Sequence, residues 1–292
     1  MASVLGTNQY GKAQLHMVTI SREGARHTIR DLTVGITLSG DLADVHLTGD
    51  NAHVVPTDTQ KNTVYAFAKE GGIGEVEAFG LRLARHFVSS FEPIKRARVH
   101  IVEAGWDRLG DHSFRRSGEE SRVATVVCEA DEAWVVSGLE GLVVLNSTDS
   151  EFEGFIQDRY TTLAETKDRV LATAVAARWR HASASSGDWN ASFDATRGLL
   201  LDAFAGTHSR SLQGTLYAMA DAMLTARPEL AEVRMSLPNK HHYVVDLSPF
   251  GLENDNEVFH ADDRPYGLIE AAVLAPDAPP AGPAWDAYPL VP

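Results

Sequence analysis

Two incompatible hydrophobic rhythms alternate along this chain, and the order in which they alternate restricts what it can fold into. Leu32, Val34, Ile36 and Leu38 point one way with Thr33, Gly35 and Thr37 between them, the period of two of a strand with one buried face. Residues 12–20 alternate in the same way. The period then lengthens. A helix is predicted from Thr57 or Asp58, both good N-caps, to about Lys69, where Gly71-Gly72 stops it. A second, over residues 75–91, sets Val76, Phe79, Leu83 and Phe87 on one stripe. Strands return near 96–103 and 121–130. The second half repeats the plan: strands around 141–147 and 169–179, helices over 194–205 and 212–226, then strands near 231–237, 243–247 and 266–274. Strand pair, helix pair, strand pair, twice over, predicts an α+β chain of two tandem units, 1–140 and 141–274, each an antiparallel sheet with a helix pair. From Ala275 the chain is Pro-rich and reads as an extended tail over 275–292. Its Trp285, Tyr288 and Leu290 are expected to anchor it on a surface such as that of a neighbouring subunit.

A formal charge of −14 over 292 residues repels phosphate backbones, so nucleic acid and anionic membrane surfaces are poor partners. An anionic substrate would have to be gathered by a few local arginines and lysines against that field. Cys128 is the one cysteine, so no intramolecular disulfide forms, and its setting in a strand reads as a buried thiol. No apolar stretch approaches the roughly 20 residues that span a bilayer. A cytoplasmic location is expected, because the start has no basic-then-apolar signal pattern and the end is not a Ser-Lys-Leu address.

Generic catalytic motifs fail one by one. Gly72-Ile73-Gly74 is followed by Glu77 where a dinucleotide loop needs its third Gly, and it follows a helix instead of a strand. The twelve histidines show no H-x-x-x-H or H-E-x-x-H spacing. His241 and His242, adjacent in an extended segment, would face opposite sides. No G-x-S-x-G elbow is present. Taken singly, Thr57-Asp58 is a helix cap, Phe152 a core aromatic and Arg169 a surface ion-pair partner.

Taken in order, these residues belong to a longer pattern. The run 142–169 carries Ser147-Thr148, Ser150, Phe152, Phe155, Tyr160, Leu163 and Arg169, and is similar to the signature of the urate oxidase (uricase) family. Asn146 departs from the family's usual Lys. Tyr10-Gly11-Lys12, the run Thr57 to Thr63, His112-Ser113-Phe114 with Arg116, Ser211-Leu212-Gln213, and Ser236 to His241 resemble further family segments in the same order. The resemblance spans about residues 10–270.

What the resemblance implies is specific. The fold would be the tunnelling fold (T-fold), with sheets assembling into a barrel around a central tunnel in a homotetramer. The reaction would be oxidation of urate by O2 and water to 5-hydroxyisourate and hydrogen peroxide, with neither metal nor organic cofactor. Phe152 would stack on urate, Arg169 and Gln213 would grip its two edges, and Leu212 and Asp58 would give backbone N–H groups. Lys12, Thr57 and His241 would relay protons, while Thr57 and Asn239 would hold O2 and then water. Lys12, Thr57 and Asp58 would serve a site whose Phe152, Arg169 and Gln213 come from another subunit. The competing expectations are a pterin- or purine-processing T-fold enzyme and a non-catalytic purine-binding T-fold protein.

Overall fold

The computed structural model describes residues 3–185 and 187–286; Tyr288 and Leu290 of the expected tail lie outside them. The chain divides into two compact units, one of residues 1–138, 180–192 and 279–292, the other of 139–179 and 193–278.

The first unit opens with β1 (Tyr10–Ser21) and β2 (Thr28–Gly40), a short α1 (Ala43–Leu47), α2 (Thr57–Gly71) and α3 (Val76–Ser90), then β3 (Ile94–Arg108) and β4 (Phe114–Glu129). Strands β1 to β4 pair antiparallel in sequence order. The predicted alternation decides which face is dry: Leu32, Val34, Ile36 and Leu38 are at most 1 % exposed and share one core with Val76, Phe79, Leu83 and Phe87 of α3. The opposite face is polar, with Asp31, Thr33 and Thr37 on β2 and His100 bonded to Thr125 at 2.9 Å. Cys128 is buried in β4, and burial pushes its thiol up to about 11, as an inert core residue requires.

The second unit takes most of β5 (Glu132–Asn146) and β6 (Leu171–His181), most of α4 (Trp189–Gly206), then α5 (Leu212–Ala226), β7 (Leu230–Val244), β8 (Phe259–Asp262) and β9 (Leu268–Leu274). Trp179, Leu200, Leu216, Met219, Met223 and Val233 form its core.

Three expectations about elements need correction. Helix α2 starts at Thr57 itself, with Pro56 as N-cap, so Thr57 and Asp58 are its first helical residues and no side chain caps it. Helix α4 starts five residues early, because Asp188 accepts from the Ala191 N–H at 2.8 Å and so sets the first turn. The two strands expected at 231–237 and 243–247 are one strand, β7. Pro238, which looks like a break, falls where β7 changes partner from β9 to β8, so its missing N–H costs the ladder little.

Of the tail, residues 279–286 pack within the first unit. Pro283 and Ala284 are buried, Arg180 donates to the Pro279 carbonyl at 2.8 Å, and Arg96 pairs with Asp286 at 2.7 Å. Gly282 sits at φ 52° with Trp134 so close that a Cβ would come within 2.7 Å of the indole. Among the described residues, no helix is long and apolar enough to cross a membrane.

Candidate active site

In the first unit the singled-out residues gather at the start of α2 and the adjoining stretch of β1. With Pro56 giving no side-chain cap, the first bond back into the helix is Gln60 N–H to the Pro56 carbonyl at 3.1 Å. The N–H groups of Thr57, Asp58 and Thr59 are therefore left as donors for an outside acceptor. Both Thr57 and Asp58 are exposed, and the Thr57 hydroxyl has no hydrogen bond to any described residue. The Asp58 carboxylate turns along the helix to Lys61 and to Asn62 Nδ2, the latter at 2.9 Å. The Lys61 hydrogen bond and charge hold its pKa below the usual carboxylate range, and the nearby Lys12 ammonium adds to the effect. Lys12 is thus brought within electrostatic reach of Asp58. Lys12 stands at a bulge between Lys12 and Leu15, beside Gly11, whose missing side chain lets β1 close on β2: a Cβ there would lie 1.8 Å from the Ile36 carbonyl oxygen.

In the second unit, Phe152 and Arg169 meet. The Arg169 guanidinium carbon lies 5.0 Å from the centre of the Phe152 ring, and Phe155 stacks on that ring at 4.9 Å. Arg169 is half-buried, which lowers its pKa by desolvation, and no described carboxylate pairs with it. A cation held out of water without a counter-charge is an anion site in waiting. Backbone bonds fix the pair: Phe152 and Thr166 exchange N–H···O bonds at 2.8 and 3.0 Å, and Arg169 N–H donates to Ser150 O at 2.8 Å.

Leu212 and Gln213 open α5. Ser211 caps the helix by accepting from Gly214 N–H at 3.1 Å, leaving the Leu212 and Gln213 N–H groups outside the cap. Leu212 is buried by its side chain, whereas Gln213 is exposed. Asn239 and His241 lie on β7, two residues apart and so on one face. Asn239 N–H donates to Gly267 O at 2.8 Å, and the His241 ring stacks on Tyr243 at 5.7 Å.

A family model described as Uricase matches residues 8–127 and 135–270. The chain belongs to the uricase family. The uricase of Arthrobacter globiformis is 51 % identical over 284 residues, covering 97 % of this chain and 93 % of that one. That of Oryctolagus cuniculus is 36 % identical over 276 residues, 90 % of this chain and 92 % of its own. A crystal structure of uricase from Arthrobacter globiformis superposes with a TM-score of 0.94, covering 98 % of this chain and 99 % of that one at 51 % identity. A uricase structure from Bacillus fastidious, at 24 % identity, matches with a TM-score of 0.79 over 93 % of this chain and 94 % of that one, and bears on the fold alone. The α+β tunnelling fold expected for a uricase is the fold of this chain.

Two groups of residues in this uricase-family chain escaped the sequence reading. Tyr10 was visible only as a motif letter, yet its hydroxyl holds both polar groups of Val55. Ser209 and Thr215 are each 1 % exposed, and Thr215 Oγ1 donates to Ser209 Oγ at 2.8 Å. Ser209 also pairs with the 149–151 backbone, accepting from Glu151 N–H at 2.8 Å and donating to Asp149 O at 3.0 Å. This ties the start of α5 to the segment carrying Phe152. Short polar residues that act through long-range approach leave no periodic signal; the Ser-x-Ser spacing before Leu212 is the one hint available.

Proposed function

We infer that this protein is a urate oxidase, converting urate, O2 and water to 5-hydroxyisourate and hydrogen peroxide. The observation that carries the reading is Arg169, a half-buried cation with no carboxylate partner among the described residues, resting over the Phe152 ring beside a family match that spans nearly the whole chain. Urate is a flat anion edged with carbonyl and N–H groups. A ring supplies stacking worth about 0.5–1.5 kcal/mol beyond area burial. The Arg169 fork suits a carbonyl and ring nitrogen on one edge, and the Gln213 amide, donor and acceptor at once, suits the imide edge. The uncapped N–H groups of Leu212 and Asp58 suit the remaining oxygens.

Ground-state O2 is a triplet, so its direct two-electron reaction with a singlet molecule is spin-forbidden. Deprotonating urate makes it electron-rich enough to give up electrons singly. The protein's own task is then proton removal and positioning. Lys12 is the basic member, Thr57 passes the proton through its hydroxyl, and His241 completes the relay. Thr57 and Asn239 hold O2, then water, near C5. Two electrons leave urate for O2, which departs as peroxide, and the water oxygen stays on C5. In this reading Lys12, Thr57 and Asp58 of one subunit face Phe152, Arg169 and Gln213 of another, within a homotetramer whose sheets close a barrel around a tunnel. No metal or organic cofactor takes part.

Mixing the protein with urate tests the activity. Bleaching of the urate absorbance band, with one O2 consumed and one peroxide formed per urate, is the expected result. A band that shifts but persists would make the protein a purine binder.

A further inference from the structure

Strand β1 and helix α2 carry the two groups assigned to proton removal, Lys12 and Thr57, and the Tyr10 hydroxyl ties β1 to Val55, two residues ahead of α2. Tyr10 stands two residues before Lys12, on the same face of β1. Its hydroxyl donates to the Val55 carbonyl at 3.1 Å and accepts from the Val55 N–H at 2.8 Å. Val55 is 4 % exposed and stands two residues before Thr57. Its carbonyl also accepts from Nε2 of the fully buried Gln60, in the first turn of α2, at 3.1 Å. Both polar groups of Val55 are therefore fixed by one side chain from β1, and the carbonyl a second time by the helix that Val55 introduces. Burial raises the Tyr10 pKa, so the hydroxyl keeps the proton that it donates. Gly11 completes the arrangement: only a residue without Cβ lets β1 approach the Ile36 carbonyl here, between Tyr10 and Lys12.

We propose that Tyr10 is a positioning residue for urate oxidation, its hydroxyl setting the approach of Thr57 to Lys12 without touching the substrate. The inference rests on the assignment of Lys12 and Thr57 to proton transfer made above. Proton relays are unforgiving of distance, and a shift of about 1 Å between partners can cost about a hundredfold in rate. Tyr10→Phe removes the clamp and keeps the ring. The expected result is a fall in kcat of about ten- to a hundredfold, with affinity for an inert urate analogue changed less than about threefold. Val64→Ala, in the same helix at a fully buried position, serves as the control: it loosens packing but leaves Val55 held. A comparable loss of melting temperature with near-normal kcat is expected of it.

A folded Tyr10→Phe enzyme with kcat within about twofold of the parent would overturn the proposal. So would a Val64→Ala enzyme that loses turnover in equal measure. Should Tyr10→Phe not fold, Tyr10→Gln keeps a donor and an acceptor on a shorter side chain and so displaces the clamp; reduced kcat at unchanged analogue affinity supports the proposal and unchanged kcat overturns it. Lys12→Met and Thr57→Ala run beside these variants separate the two ideas. Near-normal turnover in those two sinks the site assignment, whereas their collapse beside an unaffected Tyr10→Phe sinks the positioning role alone.

Discussion

In the proposed site Arg169 and Lys12 divide the work that urate demands, and the division predicts different kinetic lesions. Arg169→Gln removes a charged donor from a half-buried setting, so its main effect should be on affinity, by about 1.5–3 kcal/mol or roughly ten- to a hundredfold. Lys12→Met and Thr57→Ala should lower kcat by orders of magnitude while leaving the affinity of inert analogues much less affected. Steady-state kinetics with parallel analogue titration checks both, and a Lys12→Met enzyme with near-normal turnover would contradict the relay. Residues such as Phe152 and Arg169 were legible in the sequence as members of an ordered run. Tyr10, Ser209 and Thr215 were not legible as actors, since each works through a backbone or hydroxyl group brought near only by folding.

Elements were legible where one face is dry. The stripe Val76, Phe79, Leu83, Phe87 and the alternation Leu32 to Leu38 translate directly into α3 and β2, because each side chain lost from such a core costs about 2–5 kcal/mol and the pattern has no other satisfactory placement. Ends and polar segments were less legible. The start of α4 depends on one Asp188 hydrogen bond, and the unity of β7 depends on which strands lie beside Pro238. The loop pairing 149–151 with Ser209 carries its own charge lock: His208 contacts the carboxylates of Asp149 and Glu151, and Arg210 pairs with Glu151 at 2.9 Å. The hydrogen bond to Asp149, foremost, raises the His208 pKa above its ordinary value. A raised histidine pKa contributes stability that is complete below the unfolded value of about 6.5 and is lost as pH rises through the folded one. The melting-temperature difference between the parent and His208→Gln should accordingly be largest below pH 6.5 and shrink above it. A pH-independent difference would rule out the charge lock.

For the whole molecule, the duplicated α+β plan was readable from periodicity, but where the tail rests was not. Composition alone cannot tell a Pro-rich segment that waits for a partner from one docked on its own chain by Arg96, Arg180 and the gap over Trp134. The proposed cofactor independence is also tested at this scale: exhaustive chelation should leave turnover intact, and activity restored by an added metal would contradict it. In the proposed assembly each active site joins the Lys12–Thr57 side of one chain to the Phe152–Arg169 side of another. If the shared interface is isologous, two chains lend each other complementary halves. Lys12→Met and Arg169→Gln assemblies should each be nearly inactive alone. Co-expressed with different tags, so that mixed assemblies form during folding and can be isolated, they should recover activity: an interface between unlike chains holds one site with both lesions and one with neither. Mixed assemblies as inactive as their parents would contradict the claim and place both residues in one site within one chain.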